Sequence, residues 1–475
     1  MTTVLREPTL AGRDRRLDVI AEKVDRGDRL SLADGELLYA TPDLYTVLGL
    51  ADKVRRRLHG DAAYYNINRH LNYSNVCALS CKFCEFYRKQ DQEGAYTRDM
   101  AYVREEARKA VEAGATEMHS VGGLNPYLPF SYYTELVATI RDEARRLGSD
   151  LHVKAFTAVE IVHLAKIAKV YKGANAPGEE GRAARREAIR WVLTELKNAG
   201  LGSLPGGGAE VFDDRVHDEA YKGKIRSDVW LDVHRVAHEL GLNTNATMLY
   251  GHIEDRRDRL VHMLMLRRAQ DQALARLGYT GVAPTWNVCV QESESGHLGY
   301  RGETSDAPVI TLTRPGTPLP EHLAFGSSAT GQPAAGGASG YYQTIIPLPF
   351  FPDGSELEHL PGPSGLENLR TLAVARLMLD NFPHVKAFWI MQTLPMAQLM
   401  LQNGADDLDG TVVWYDITKV NHGAGQGSGS AATNQEVNVW TLQKAIREAG
   451  FEPVERDTLY RRVSRDAADG RRWSV

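Results

Sequence analysis

The chain has 475 residues, a formal net charge of −5 and a hydrophobic share of 43%. This near-balanced charge gives no electrostatic reason to bind nucleic acid or an anionic membrane surface, and we expect neither as a partner. No apolar run approaches the ~20 residues of a membrane-spanning helix. The charged N-terminal segment lacks the apolar core of a secretory signal. We therefore expect a cytoplasmic globular protein with one large domain or two smaller ones.

The first predicted elements are helices. Residues 12–60 carry amphipathic helical patterns, including a potential capping serine, Ser31, ahead of an apolar stripe. We interpret residues 1–60 as a helical leader that packs on the main domain.

Short β-rich runs alternate with helical patterns along most of the remaining chain. The runs lie at 64–72, 117–123, 151–157, 201–205, 243–250, 343–350, 384–390 and 406–415. Eight strands that alternate with helices predict an α/β fold, specifically a (β/α)8 TIM-type barrel. The alternative is a six-stranded partial barrel with a separate C-terminal unit. We place the barrel at residues 61–415 and a C-terminal α/β extension at 416–475.

Two segments interrupt this alternation. Residues 172–187 are rich in charge and glycine and are predicted to be a solvated, partly disordered insertion. A longer insertion at 279–340 contains SSATGQPAAGGASG, a composition typical of flexible linkers. It connects a helix to a strand, which in a barrel places it on the face opposite the chemistry. Cys289 lies inside it and is expected to be an inert free thiol.

The other three cysteines are Cys77, Cys81 and Cys84, spaced C-x3-C-x2-C after the first predicted strand. A structural zinc site normally has four ligands, usually as two separated pairs. Three thiolates in one loop instead suit an iron–sulfur cluster with three irons held by protein and one left open. A disulfide cannot account for all three cysteines. The position after a strand places the cluster at the C-terminal mouth of the barrel, where barrels carry their catalytic groups.

Further candidate residues follow later strands. Gly122 and Gly123 end the second strand, where the absence of Cβ atoms lets backbone approach a ligand closely. After the third strand, Glu160 either contacts a cofactor or forms a capping box with Thr157, and the sequence leaves both readings open. Other candidate groups are the loop glycines of LPGGGAEVF (204–212), the mouth residues Tyr250, His252 and Glu254, and the aspartates of DDLDGT (406–411).

The stretch NYSNVCALSCKFCEF resembles the cluster loop of the radical S-adenosylmethionine (SAM) superfamily. The resemblance implies a [4Fe–4S] cluster on the three cysteines, with SAM bound to the open iron. It further implies that Phe83 contacts the adenine and that Gly122, Gly123 and Glu160 contribute to SAM binding. Leu124 stands where the superfamily more often has an acidic residue.

Other strings narrow this resemblance. They are HSVGGLNPYLPF, KAFTAVEI, SLPGGGAEVF, ATMLYGHIE, IPLPFFP, LDNFPHVKAFWI, DDLDGT and PVERDTLY, within about 60–271 and 341–460. As a set they resemble the aminofutalosine synthases, radical SAM transferases of the futalosine route to menaquinone. Related alternatives are the cyclic dehypoxanthine futalosine synthases and a subunit of the deazaflavin (F0) synthase.

This resemblance implies a reaction and partners. The 5′-deoxyadenosyl radical of SAM adds to 3-[(1-carboxyvinyl)oxy]benzoate and gives 6-amino-6-deoxyfutalosine with loss of the carboxylate, so SAM is a co-substrate. A flavodoxin or ferredoxin would supply the electron. Tyr250, His252 and Glu254 are the predicted catalytic residues, and His252, Arg259 and His119 are candidates for binding the substrate carboxylates.

Overall fold

The structure is a computed structural model. It describes residues 13–281, 309–316, 339–412 and 436–465, the single residues 319 and 323, and the backbone of 287–292 and 298–304. Within these residues, no helix combines the length and the apolar character that crossing a membrane requires.

Three helices precede the first strand: α1 (Leu17–Arg26), α2 (Leu32–Ala40) and α3 (Leu44–His59). The predicted capping serine begins α2, since Ser31 and Asp34 form a capping box with both reciprocal hydrogen bonds. These helices pack on helices of the main domain, with the largest contact between α3 and the helix at Gly365–Met378.

The strands confirm the predicted barrel. They are β1 (Ala62–Asn66), β2 (Asn68–Leu71), β3 (Glu117–Ser120), β4 (His152–Ala155), β5 (Ser203–Leu204), β6 (Asn243–Tyr250), β7 (Asn287–Glu292), β8 (Leu298–Thr304), β9 (Tyr342–Pro349), β10 (His384–Val385), β11 (Asp407–Gly410) and β12 (Glu452–Glu455). Seven of them form a parallel sheet in the order β10-β9-β6-β5-β4-β3-β2. All eight predicted runs contain a strand of this ring.

The ring closes through β11. This strand pairs in parallel with β1 and is joined to the β10 side by a parallel bridge between Lys386 and Asp407. The first predicted strand is divided at Ile67 into β1 and β2, because β1 pairs with β11 and β12 whereas β2 pairs with β3. The pairing of β12 beside β1 was not predicted.

The remaining helices lie between the strands. They are α4 (Met100–Glu112), α5 (Phe130–Arg146), α6 (Ala158–Ile167), α7 (Gly178–Ala199), α8 (Asp214–Ala220), α9 (Ser227–Glu239), α10 (Arg256–Arg276), α11 (Gly365–Met378), α12 (Trp389–Gln392), α13 (Leu394–Leu401) and α14 (Val439–Glu448).

The segment 172–187, predicted as a solvated and partly disordered insertion, is helical in its second half. Residues 178–187 form the first turns of α7. Their charges are engaged in the fold, because Arg185 forms buried ion pairs with Asp228 and Asp232 on α9. The charged run is therefore one face of an amphipathic helix.

The segment 279–340 contains an antiparallel hairpin, β7–β8, where no strand was predicted. Most of the glycine-rich run, and the side chain of Cys289, lie outside the described residues. Residues 309–313 pack against the leader helices, where Arg57 donates a hydrogen bond to the Thr313 carbonyl. Arg29 meanwhile bridges Asp271 and Asp380 in a buried network.

The barrel interior is filled with ion pairs beneath its mouth. Lys154 binds Glu117 at 2.7 Å, Lys386 binds Asp409 at 3.0 Å, and Arg456 binds Asp407 at 2.6 Å. Two of the three aspartates of DDLDGT, Asp407 and Asp409, are the acidic partners in two of these pairs. The third, Asp406, pairs with Arg376 and accepts a hydrogen bond from His384. These pairs fit a structural role for the motif.

Candidate active site

A cavity of about 300 Å³ opens at the carboxyl ends of the barrel strands. This is the lower end of the ~300–1,000 Å³ typical of small-molecule sites. Its walls bring together eight predicted or adjoining residues from separate loops: Cys77, Cys81, Phe83, Cys84, Gly122, Gly123, Leu124 and Glu160. The apolar side is formed by Val159, Leu249, Leu348, Phe350, Phe351 and Met391.

The cysteine loop forms one wall of the cavity. All three cysteines are free thiols, and burial raises the pKa of Cys81 to about 11 and also raises that of Cys84. The Cys77 sulfur accepts a hydrogen bond from the Leu124 backbone N–H at 3.4 Å. The loop therefore presents three thiol groups to one space, with the first already oriented by a neighbouring strand end.

The two glycines at the end of β3 are explained by this loop. A Cβ on Gly123 would lie 2.3 Å from the Val76 carbonyl oxygen, and one on Gly122 would lie 2.7 Å from the Tyr73 ring. The Gly123 N–H donates to the Ser74 carbonyl at 2.7 Å. Glycine is required here because the backbone leading into the cysteine loop occupies the space of a side chain.

Glu160 forms the capping box and also lines the cavity. Its carboxylate accepts hydrogen bonds from the Thr157 backbone N–H at 2.7 Å, the Tyr73 hydroxyl at 2.7 Å and the Gly122 backbone N–H at 3.0 Å. Burial nevertheless raises its pKa to about 6. These hydrogen bonds fix the carboxylate at the wall of the cavity.

Sequence reasoning missed an ion pair that lies beside the cysteine loop in the same cavity. The ammonium of Lys224 pairs with Glu210 and lies 5.1 Å from the centre of the Phe83 ring. Burial opposes the charge of Lys224, but Glu210 and the neighbouring thiols hold its pKa above the ordinary value. Glu210 belongs to LPGGGAEVF, so the glycine run could have indicated it as a site residue. No pattern in the sequence indicates Lys224.

Several strand ends at this mouth carry unusual backbone conformations. Phe156 after β4, Glu210 after β5, Thr393 after β10 and Asp409 in β11 all have φ between 48° and 76°. Non-glycine residues rarely adopt this region, and such outliers concentrate at functional sites. Phe156 directly follows β4 and Asp409 lies within β11, whereas Glu210 lies in the loop after β5, where it also lines the cavity.

The predicted catalytic residues Tyr250, His252 and Glu254 lie at the end of β6 but not among the residues that line the cavity. Tyr250 bonds Asn368 at 2.9 Å. The Glu254 carboxylate accepts hydrogen bonds from the backbone N–H groups of residues 251 and 252 and from Arg259. Their catalytic role stays a prediction. The observed hydrogen bonds of Glu254 stabilise the turn that follows β6.

The candidates for substrate carboxylates also lie outside the cavity lining. Arg259 is buried and shared between Glu254 and Glu367. His119 lies on β3 and is partly buried; desolvation holds its pKa well below the ordinary value, and its Nε2 has no hydrogen-bond partner among the described residues. Lys224 is the only lysine or arginine among the described residues lining the cavity.

The residues present fit an iron–sulfur cluster. Three thiols from one loop share a cavity wall, and none of the other described lining residues is a cysteine or histidine. This donor set can hold three irons and leaves a fourth open toward the cavity. A ligand chelating that iron would lie between the glycine pair, Glu160 and the Lys224–Glu210 pair.

Comparison with known proteins agrees with this site. The family model "Radical SAM superfamily" matches residues 71–266, and the model "CofH/MqnC C-terminal region" matches residues 338–468. The solved structure of a methylornithine synthase superposes with a TM-score of 0.58 at 14% identity, covering 95% of this chain and 99% of that one. The FeFe-hydrogenase maturase HydG from Carboxydothermus hydrogenoformans superposes with a TM-score of 0.56 at 14% identity, covering 94% of this chain and 81% of that one. At such identity these structures show the fold alone.

Fold, cysteine loop and family model together define a radical SAM enzyme that uses a [4Fe–4S] cluster and SAM. The chain is 37% identical over 455 residues to the aminodeoxyfutalosine synthase of Thermus thermophilus, covering 95% of this chain and 97% of that protein. It is 35% identical to the aminodeoxyfutalosine synthase of Streptomyces coelicolor, covering 95% and 94%. A 5-amino-6-(D-ribitylamino)uracil–L-tyrosine 4-hydroxyphenyl transferase of Methanopyrus kandleri is 32% identical, covering 94% and 95%. The chain belongs to the aminodeoxyfutalosine synthase family.

Proposed function

We propose that this protein is an aminofutalosine synthase that joins the deoxyadenosyl group of SAM to 3-[(1-carboxyvinyl)oxy]benzoate, yielding 6-amino-6-deoxyfutalosine with loss of the carboxylate. The observation that carries the proposal is the 37% identity to an aminodeoxyfutalosine synthase over 95% of the chain. The cavity supports it, because the three cysteines and the glycine pair line one space.

The charges of the cavity suit SAM. Bound SAM on the reduced cluster would supply the 5′-deoxyadenosyl radical. The ammonium of Lys224 is suited to the carboxylate of SAM, and the carboxylate of Glu160, which lines the same cavity, is suited to its amino group. Phe83 contributes an aromatic face for the adenine. These residues orient the co-substrate, and the apolar wall excludes water from a reactive carbon centre.

The aromatic ring of the second substrate matches the apolar side of the same cavity. Leu348, Phe350, Phe351 and Met391 form a wall that can hold a benzoate ring. Leu348 and Phe350 come from the end of β9 and the residue after it, and Met391 from the short helix after β10, so this wall is built from other strands than the cysteine loop that follows β2. An acceptor between these walls would lie next to the carbon that SAM presents.

The direct test is anaerobic incubation of reduced, cluster-loaded protein with SAM and the enolpyruvyl benzoate. We expect 6-amino-6-deoxyfutalosine by mass spectrometry, and its absence alongside SAM cleavage would remove the specific assignment. A flavodoxin or ferredoxin is the proposed electron donor, and a reducing cytoplasm suits the free thiols.

A second candidate is a related radical SAM reaction, such as those of the cyclic dehypoxanthine futalosine synthases or the F0 synthase subunit. The observation that supports this second candidate is the 32% identity to the 4-hydroxyphenyl transferase. In that case free 5′-deoxyadenosine would accumulate, and the enolpyruvyl benzoate would be recovered unchanged.

A further inference from the structure

Lys89 lies five residues beyond the third cysteine and was not singled out in the sequence. Its ammonium donates hydrogen bonds to the carbonyl oxygens of Cys77 and Leu79, both at 3.0 Å. Both carbonyls belong to the loop between the first and second cysteines. The Lys89 side chain therefore binds the backbone of Cys77, the first cysteine, and of Leu79, midway to the second.

The segment around Lys89 returns alongside the start of the cysteine loop. The Cys77 N–H donates to the Arg88 carbonyl at 3.0 Å, and the Arg88 N–H donates to the Asn75 carbonyl at 2.8 Å. Val76 and Arg88 form a parallel bridge. Lys89 is thus held in register with the loop by backbone pairing, and its ammonium lies 5.2 Å from the centre of the Tyr87 ring.

We propose that Lys89 is a positioning residue that fixes the cysteine loop in its ligand-ready conformation and retains the cluster. Its ammonium donates to two backbone carbonyls and so restricts rotation of the peptide groups at Cys77 and Leu79. Cys77 therefore keeps its orientation toward the other two thiols. Residues that orient metal ligands through such outer contacts typically affect metal affinity by about 10–100-fold.

The cation also acts on the electronic properties of the cluster. A reduced cluster on three thiolates carries more negative charge than the oxidised form, so a nearby ammonium favours reduction. Lys89 is consequently expected to hold the reduction potential at a less negative value. This effect depends on charge, whereas the hold on the loop depends on the two hydrogen bonds.

Four proteins separate these effects: the wild type, Lys89→Met, Lys89→Arg and Lys82→Met. Lys82 lies in the same loop and is exposed, and its ammonium has no hydrogen bond or ion pair within the described chain. Each protein is loaded with cluster anaerobically, and iron release to a chelator is followed by absorbance without any substrate. The potential is measured by titration followed by electron paramagnetic resonance.

We expect Lys89→Met to release iron about tenfold faster than the wild type or more. Lys89→Arg should stay near the wild type because it keeps the donors, and Lys82→Met should release iron slowly. The potential should become more negative in Lys89→Met and not in Lys89→Arg. Equal release by Lys89→Met and the wild type, or equally fast release by Lys82→Met, would overturn the proposal.

Should circular dichroism show Lys89→Met to be unfolded, the comparison passes to Lys89→Gln, which removes the charge and whose side chain is one atom too short to reach both carbonyls. Fast release is expected there too, and wild-type rates would refute the role. The measurement needs no substrate, so its outcome is independent of which reaction the enzyme performs.

Discussion

The substitution Gly123→Ala tests how tightly the glycine pair and the cysteine loop are fitted. The added Cβ would lie 2.3 Å from the Val76 carbonyl oxygen and 2.8 Å from its carbonyl carbon, whereas ordinary contact begins at 3.4 Å. The backbone must therefore yield by about 1 Å, and the atoms that move belong to the residue preceding Cys77. Overpacking of this kind costs roughly 1–3 kcal/mol.

The matched control is Gly207→Ala in the same cavity. Its Cβ would meet only the Thr157 methyl group, at 3.0 Å, and no backbone atom within 4 Å. An alanine there changes stability by less than about 1 kcal/mol, partly through the unfolded chain.

The assay is iron and sulfide content after anaerobic loading, together with the free energy of unfolding from denaturant titration. Gly123→Ala is expected to lose both cluster and stability, and Gly207→Ala to keep both. A fully loaded Gly123→Ala protein of wild-type stability would show that the close approach of β3 to the cysteine loop is not what requires glycine.

Three further predictions follow from the site and its surroundings. The free energy of unfolding of Glu160→Gln should rise relative to that of the wild type as pH rises. Folding raises the pKa of Glu160 from 4.5 to about 6, so the wild type loses about 2 kcal/mol of stability as pH rises through these two values, whereas the variant does not. Unfolding titrations at about pH 4 and about pH 8 check this, and a pH-independent difference between the two proteins would contradict it. Glu254→Ala should cost about 3 kcal/mol because the buried Arg259 loses a partner, yet leave iron content intact; loss of turnover at wild-type stability would instead support the predicted catalytic role. Cys81→Ser should abolish cluster retention and Cys289→Ser should not, and equal bleaching of both would disprove the three-cysteine assignment.

The parts of the fold that the sequence predicted are those with a local pattern. Eight β-rich runs separated by helical patterns were enough for the barrel, because each buried strand is a short apolar segment between turns. β12 was missed because EPVE is half exposed and owes its conformation to pairing with β1. The start of α7 was misread because its charges look solvated in sequence, while Arg185 finds two carboxylates on another helix.

The candidate site divides in the same way. Cys77, Cys81 and Cys84 are adjacent in sequence, so their spacing alone indicated a shared metal centre. Lys224 and Glu210 lie 14 residues apart in the segment after β5 and are brought together by its folding. No periodic pattern in the sequence indicates that contact. His252 was predicted to face the mouth because it follows a strand-end glycine. In the structure its backbone N–H donates a hydrogen bond to the Glu254 carboxylate within the turn after β6.

The central claim is that SAM is consumed as a carbon donor in this cavity. Its most direct test is one anaerobic turnover of the reduced, cluster-loaded protein with enolpyruvyl benzoate and SAM labelled in the adenosyl group. We expect the label to appear in 6-amino-6-deoxyfutalosine, with one methionine released for each product. Label recovered entirely as free 5′-deoxyadenosine, with the benzoate substrate unchanged, would contradict it.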